Sequence, residues 1–197
     1  MTKLCATVVF LLLNFSSSVS FAANATGVIQ GSLEQLTQII TQGRDGHEQD
    51  PQRLYSQVSV VLTSIFDFDA FSMGVMGKKH AAANPELPRL FAQVLKQSLV
   101  EIFTDGLVNL GPYTVELSSP AQTRPDRAKV FMQVVTVKGA VHALTYSLAL
   151  DEQWRVRNVI FDGVNLGLTM RSQFASSVST LGSVEQAVAH WEIDDSE

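Results

Sequence analysis

The sequence predicts an α+β domain in which helices wrap an antiparallel sheet of about four strands. Apolar residues recur at helical spacing as far as Leu110, and from Tyr113 onward apolar and polar residues alternate instead. Short links join the alternating segments, and short links favour antiparallel neighbours. The helices that come first must cover one face of the sheet, because an apolar sheet face needs a second layer.

The amino terminus is typical of a cleaved signal peptide. Lys3 precedes an apolar run over residues 4–13, which is too short to span a bilayer. Ser20 and Ala22 are small residues at the positions where cleavage requires them, so we expect a signal peptide of residues 1–22 and export of the remaining chain. Cleavage after Ala25 is the alternative.

The predicted mature chain, residues 23–197, is a single domain with an acidic tail over residues 192–197. The one cysteine, Cys5, is lost with the signal peptide, so neither a disulfide nor a thiolate metal site is expected. The full chain has 14 basic and 19 acidic residues and a formal charge of −5. This balance argues against nucleic-acid binding as the main function and against permanent attachment to anionic lipid.

Three helices are predicted before residue 84. The first ends at Gly43. The second has Asp50 as its cap and Pro51 in its first turn. The third spans residues 69–76 and closes at Gly77.

The longest helix opens at the two prolines within residues 84–88 and has a wide apolar face. That face is either ordinary core or part of a ligand pocket, and the pattern does not distinguish the two. Its candidate residues are Leu90, Phe91, Val94, Leu95, Leu99, Ile102 and Phe103.

Four strands follow, over residues 114–118, 129–138 and 141–150 and from Trp154 onward. In the last strand, alternation puts Trp154, Val156, Asn158 and Ile160 on one face. The sheet residues that could face a cavity are Phe131, Met132, Leu144, Tyr146, Leu148 and Trp154. Two helices, over residues 172–179 and 183–190, complete the domain.

Two stretches of the chain resemble signature segments of the MlaC family, also called the toluene-tolerance Ttg2 family. The first combines a strand, an Asp-Gly turn and an apolar helix start, and its matching residues are Trp154, Val156, Asp162, Gly163, Val164, Leu166, Arg171, Gln173 and Phe174. The second is the Phe-Asp-Phe run at residues 66–68 with the short helix that follows. Asn158, Asn165 and Met170 stand where the family usually has Asp, Ser and Tyr.

The resemblance implies a soluble periplasmic protein that carries a phospholipid between the two membranes of a Gram-negative envelope. It implies exchange with an inner-membrane ABC transporter complex and an outer-membrane lipoprotein complex, maintenance of lipid asymmetry, and a curved sheet of the nuclear-transport-factor-2-like fold. We expect a monomer whose phospholipid is cargo and which needs no cofactor. The alternatives are another apolar cargo such as a hopanoid, or a structural adaptor that binds no lipid.

The resemblance adds four residues of the first stretch to the candidate lipid contacts: Val164, Leu166, Met170 and Phe174. Lys78, Lys79 and Arg171 are the main candidates for contact with a phosphate head group or an acidic partner, and Arg155 and Arg157 are considered with them. The alternative is a solvated face, because exposed charges contribute little. Arg171 could also pair with Asp162 or another acidic residue and brace the turn.

Catalysis is not expected. The histidines His47, His80, His142 and His190 lie far apart, without a metal-ligand spacing, and no nucleophile elbow or phosphate loop is present. Folding could bring His142 to Asp162, but a surface or hydrogen-bonded histidine is the commoner case. The sequence therefore predicts a binding protein with no metal site.

Overall fold

The computed structural model describes residues 18–46, 50–118 and 121–193. Residues 1–17 of the predicted signal peptide, His47 and the end of the acidic tail lie outside the described residues, so export, cleavage and the tail stay predictions. The helices are α1 (Ser18–Gly43), α2 (Pro51–Ile65), α3 (Phe68–Ala83), α4 (Leu87–Leu110), α5 (Leu166–Leu181) and α6 (Val184–Ala189). The strands are β1 (Tyr113–Leu117), β2 (Ala121–Arg124), β3 (Arg127–Thr136), β4 (Val141–Leu150), β5 (Trp154–Phe161) and β6 (Val164–Asn165).

The predicted connection between α1 and α2 is confirmed. α1 ends at Gly43, and a single 3₁₀ turn, Arg44–Gly46, follows. The Asp50 carboxylate accepts a hydrogen bond of 3.2 Å from the backbone N–H of Arg53, and Pro51 occupies the first turn of α2. Within the described ranges, no helix is both long and apolar enough to cross a bilayer.

α3 does not end at Gly77 as predicted. Gly77 has φ 75° and ψ 156°, which interrupts the helix, and helical geometry then resumes as far as Ala83. A positive φ is strained for residues with a side chain, so glycine permits this kink. The kink turns Lys78 and Lys79 onto the protein surface, where both are exposed.

The sheet is antiparallel, with the strand order β1-β3-β4-β5-β6, and β2 pairs with β3 on the same edge as β1. The four predicted strands are confirmed as β1, β3, β4 and β5. The short strands β2 and β6 were not predicted, so the curved sheet has six strands. The α+β class is therefore as predicted, and consecutive long strands form the expected meander.

A β-bulge in β5 changes which side chains share a face. The register of β5 against β4 shifts by one residue at Arg157. Successive β4 residues pair with Val156 and Asn158, so these two side chains project to opposite faces. The predicted alternation, with Asn158 and Ile160 on the face of Trp154, is therefore wrong beyond the bulge.

The buried apolar residues form three clusters, and each large side chain in them contributes roughly 1.5–3 kcal/mol to stability. The helical cluster joins α3, α4, α5 and α6 through residues that include Phe71, Phe91, Leu95, Met170, Phe174 and Trp191. The sheet cluster joins the start of α1 to the sheet through Ala25, Ile29, Ala128, Val130, Leu148, Trp154 and Val156. The third cluster joins α1, α2 and α4 through Leu36, Ile40, Leu54, Val58, Val61 and Val100.

Candidate functional site

The inner face of the sheet is the face that α1 covers. Along β3, the buried residues Val130, Met132 and Val134 alternate with exposed ones. Directly paired residues of an antiparallel sheet share a face. Tyr146 pairs with Val130, and Leu144 pairs with Met132, so both belong to the inner face, where they are only partly buried.

α1 changes its packing partners along its length. Its first turns contribute Ala25 and Ile29 to the sheet cluster. Further along, Leu36 and Ile40 pack against α2 and α4 instead. The helix therefore stops covering the sheet after Leu33, the last of its residues that packs against the sheet cluster.

An open groove lies where α1 leaves the sheet. It has a volume of about 750 Å³, which is within the roughly 300–1,000 Å³ of ordinary ligand clefts. One wall is the face of α1 between Gln30 and Gln42, and the other is formed by Tyr113, Val115 and Leu117 of β1. These β1 residues pair with Thr136, Val134 and Met132 respectively, so the groove opens onto the inner face.

Two tyrosines bring hydroxyl groups to this face. The Tyr113 hydroxyl lies 3.4 Å from the Thr37 hydroxyl across the groove, which makes a polar contact between β1 and α1. Burial raises the pKa of Tyr146 well above its ordinary value, and the nearby Tyr113 raises it further. Tyr113 and Tyr146 therefore both belong to the inner face, on β1 and β4.

The residues predicted to contact lipid are distributed over the whole domain. The buried ones are Phe91, Leu95, Leu148, Trp154, Met170 and Phe174. The partly buried ones are Val94, Leu99, Phe103, Leu144, Tyr146 and Leu166. The exposed ones are Leu90, Ile102, Phe131 and Val164. Phe131 lies on the outer face of the sheet, because it alternates with Val130 and Met132 along β3.

The groove itself is lined by residues that were not predicted. Its α1 wall is mostly Gln, Glu and Thr, which in sequence look like the solvated face of an ordinary helix. Its β1 wall did carry a signal, the alternation of Tyr113, Val115 and Leu117, but a strand with that pattern also packs in an ordinary core. Leu144 and Tyr146 are the predicted residues that share the inner face with the groove and keep accessible surface.

The three candidate cationic residues surround Gly77. Arg171 in α5 is exposed, and its guanidinium lies beside Gly77, such that a Cβ at that glycine would be 3.1 Å from Nη2. Lys78 and Lys79 follow directly and are also exposed. Within the described residues, Arg171 forms no ion pair. Two segments that are distant in sequence thus bring three exposed cationic residues near Gly77.

Asp162 is held by His142 and not by Arg171. Oδ2 of Asp162 lies 2.8 Å from Nδ1 of His142, and Oδ1 accepts a 2.7 Å bond from the backbone N–H of Ala143. The hydrogen bond from His142 is the main cause that lowers the pKa of Asp162, and the bond from Ala143 is the second. The suggestion that Arg171 braces this turn through Asp162 is therefore wrong.

The contacts of the His142–Asp162 pair are those of a structural turn. Both side chains are partly exposed, and the imidazole stacks on Phe161 with ring centres 5.5 Å apart. Asp162 has φ 46° and begins the tight connection from β5 to β6. No group of three or more His, Cys, Asp or Glu residues that could hold a metal ion occurs in the described part of the chain.

Comparison with known proteins identifies a matching family profile and a similar protein. The sequence profile of the MlaC protein family matches residues 30–192. The toluene tolerance protein ttg2D of Pseudomonas putida is 27% identical over 167 residues, which cover 83% of this chain and 78% of that protein.

A solved structure shares the fold. It is the phospholipid-binding protein from Ralstonia solanacearum in complex with a phospholipid, and it superposes with a TM-score of 0.76 at 22% identity, covering 84% of this chain and 93% of that chain. The family profile spans both walls of the groove, residues 30–42 of α1 and all of β1. The chain therefore belongs to the MlaC family.

Proposed function

We propose that this protein is a periplasmic phospholipid carrier and that acyl chains enter through the groove between α1 and β1. The observation that carries the proposal is the groove of about 750 Å³ that opens onto the apolar inner face of a curved sheet. The relatives support the cargo, because the similar protein from Ralstonia solanacearum was solved with a phospholipid.

The inner face suits acyl chains because its side chains are apolar and incompletely covered. Leu144 and Tyr146 keep accessible surface on this face, and Val115 and Leu117 line the groove beside them. We propose that these residues contact lipid first. Of the buried residues in the predicted set, Leu148 and Trp154 lie in the sheet cluster that α1 covers, and they contact the chains when α1 separates from the sheet.

The energetics of binding require that lipid passes directly between two apolar sites. Each methylene removed from water contributes about 0.8 kcal/mol, so two long acyl chains would dissociate into water extremely slowly. Handover becomes feasible when the chains pass directly from one apolar site to another. We therefore propose exchange with an inner-membrane ABC transporter complex and an outer-membrane lipoprotein complex, which would maintain lipid asymmetry. The carrier acts as an exported monomer, without a covalent step, a cofactor or a metal.

We propose that Lys78, Lys79 and Arg171 bind the lipid head group or an acidic partner surface during this exchange. Their ammonium and guanidinium groups share one exposed surface around Gly77. A phosphate head group or an acidic partner surface is the complement that such a cluster binds best.

Two substitutions at neighbouring positions of β1 test the groove. Val115→Glu places a carboxylate in the groove, and the exposed Thr114→Glu places the same charge on the opposite face of the same strand. Burial of a carboxylate against acyl chains is strongly unfavourable. We expect Val115→Glu to lose most co-purified phospholipid, as measured by mass spectrometry of the folded protein, and Thr114→Glu to keep it.

The same measurement separates the alternatives. Equal phospholipid in both variants would place the binding site elsewhere. If a hopanoid co-purifies with the wild-type protein, the cargo is a hopanoid and not a phospholipid. The absence of any lipid after gentle purification would favour a structural adaptor. Circular dichroism and melting temperature establish that each variant is folded.

A further inference from the structure

The Tyr146 hydroxyl is a polar group on an otherwise apolar surface. Tyr146 pairs with the buried Val130 on one side and with Val159 on the other, and its ring packs against the sheet cluster. Among the described residues, none forms a hydrogen bond with its hydroxyl. The hydroxyl is not one of the enclosed polar atoms without a partner in the described part of the chain, so it keeps contact with open space, where a ligand can reach it.

Tyr146 lies on the inner face of the sheet, onto which the groove opens. Burial raises the pKa of Tyr146, which agrees with the packing of its ring against the sheet cluster. The side chain nevertheless keeps accessible surface, unlike the adjacent Val130, which has none. A side chain that packs against the core and still keeps accessible surface is typical of a residue that lines a cavity. Tyr113, which lines the groove, is close enough to influence Tyr146 electrostatically.

A phenol in this position can donate one hydrogen bond to an acceptor on the cargo. Acyl chains carry no acceptor along their methylene groups, but a diacyl glycerophospholipid has an ester carbonyl oxygen at the head of each chain. Phosphate oxygens are the other acceptors of such a lipid, but they carry charge, and an apolar surface disfavours charge. The carbonyl is neutral and lies where the hydrocarbon begins, so it matches this environment better.

We propose that the Tyr146 hydroxyl donates a hydrogen bond to an ester carbonyl oxygen of the bound glycerophospholipid and thereby selects ester-linked lipids. This inference rests on the proposed function, because it requires a phospholipid on the inner face. It assigns to Tyr146 a specificity contact beyond apolar packing. A dialkyl ether lipid of the same chain length and head group lacks this acceptor.

The experiment is a competition between two lipids in one sample. Delipidated protein is incubated with vesicles that contain equal amounts of dipalmitoyl phosphatidylglycerol and its dihexadecyl ether analogue, and the lipid bound to the repurified protein is quantified by mass spectrometry. For the wild-type protein we expect the ester lipid to exceed the ether lipid by about threefold to tenfold, the discrimination that one neutral hydrogen bond provides. For Tyr146→Phe we expect a ratio near one.

Tyr55→Phe is the matched control. The Tyr55 hydroxyl donates to the Asp105 carboxylate at 3.0 Å, between α2 and α4 and away from the sheet. We expect this variant to melt at a lower temperature but to keep the wild-type lipid ratio. Tyr146→Phe should show the opposite pattern, with an unchanged or raised melting temperature without lipid, because it removes a hydroxyl that has no protein partner.

Each result decides the proposal. A wild-type ratio of one would overturn it whatever the variants do, and so would a wild-type preference that Tyr146→Phe retains. Wild-type protein that takes up neither lipid would overturn the proposed function together with this inference. Uptake of both lipids without preference would leave the carrier function standing and remove only the role of Tyr146.

Discussion

Arg157 and Asp67 join the two sequence stretches that resemble the family. Nη2 of Arg157 lies 3.0 Å from Oδ2 of Asp67, and the same nitrogen contacts the Asp151 carboxylate. Asp67 also caps α3, because its Oδ1 accepts a bond of 2.8 Å from the backbone N–H of Ala70. The bulge in β5 therefore presents its extra residue to the start of α3, and one carboxylate fixes a strand and a helix together.

The first prediction concerns the stability that this ion pair provides. Its side chains are 32% and 16% exposed, so it is less solvated than an ordinary surface pair. We expect Arg157→Gln to lower the free energy of unfolding by about 1–3 kcal/mol, because the Asp67 carboxylate loses a charge-assisted partner. Urea denaturation provides the measurement.

Arg89→Gln is the control for that loss. Arg89 pairs with Glu86 at 3.7 Å, and both side chains are more than two-thirds exposed, at 76% and 71%. This substitution should change stability by less than about 0.5 kcal/mol. Equal effects at the two sites would mean that the Arg157 pair is no stronger than a solvent-exposed pair.

The second prediction concerns Gly167, at the start of α5. Its backbone N–H donates to the Asn158 side chain at 3.1 Å, and a Cβ would lie 2.7 Å from the same oxygen and 3.3 Å from the Phe71 ring. Gly167→Ala should therefore destabilise the protein by roughly 1–3 kcal/mol, because α5 must move away from β5.

Gly106 provides the opposite case for the same substitution. It lies within α4, and a Cβ there would meet no atom within 4 Å. Gly106→Ala should stabilise by roughly 0.5–1 kcal/mol through its better helix propensity. Thermal melts of both variants test the pair, and a stable Gly167→Ala protein would contradict the close approach of α5 to Asn158.

The third prediction uses the lowered pKa of Asp162. A carboxyl group whose pKa is lower in the folded state stabilises the fold above its unfolded pKa, which is near the ordinary value of 3.8. That stabilisation disappears as the pH falls through the folded pKa. Asp162→Asn keeps a residue that tolerates positive φ and removes the charge.

We therefore expect Asp162→Asn to melt below the wild type at pH 6, and the difference to shrink as the pH is lowered below about 4. Melting curves at a series of pH values provide the measurement. A difference that stays constant through this range would show that the hydrogen-bond geometry matters and the ionised carboxylate does not.

The elements that the sequence predicted correctly are those with local signals. The Asp50-Pro51 pair fixes the start of α2, and alternation gives β4 to the residue and β3 within two residues at each end. The bulge at Arg157 was not predictable in this way, because its partner Asp67 lies far away in the chain. The kink at Gly77 was partly predicted, because a glycine shows where a helix can be interrupted but not whether it resumes.

The groove escaped prediction for a similar reason. Its α1 wall is polar. Whether that wall faces solvent or a cleft depends on where α1 stops packing against the sheet and begins to pack against α2 and α4. This change of packing partners depends on contacts between residues that are distant in sequence, so it leaves no local pattern in the sequence. The apolar residues predicted instead, such as Phe91 and Leu95, look the same in sequence whether they fill a core or line a cavity.

The last prediction tests the cationic surface around Gly77. Arg171→Glu reverses one of its three charges without breaking an ion pair to another described residue, so the melting temperature should change little. If this surface contacts a phosphate head group, the variant should transfer phosphatidylglycerol between vesicles about threefold to tenfold more slowly than the wild type. The deficit should shrink at 1 M salt, because salt screens exposed charges.

Lys129→Glu separates this local effect from overall charge. Lys129 is exposed on the outer face of β3, and its reversal changes the net charge by the same amount as Arg171→Glu. We expect it to leave lipid transfer unchanged. Equal slowing by both substitutions would assign the effect to net charge, and a lower melting temperature of Arg171→Glu with normal transfer would assign Arg171 a structural contact with the backbone at Gly77. Only slower transfer by a normally stable Arg171→Glu protein, with Lys129→Glu unaffected, supports the head-group contact.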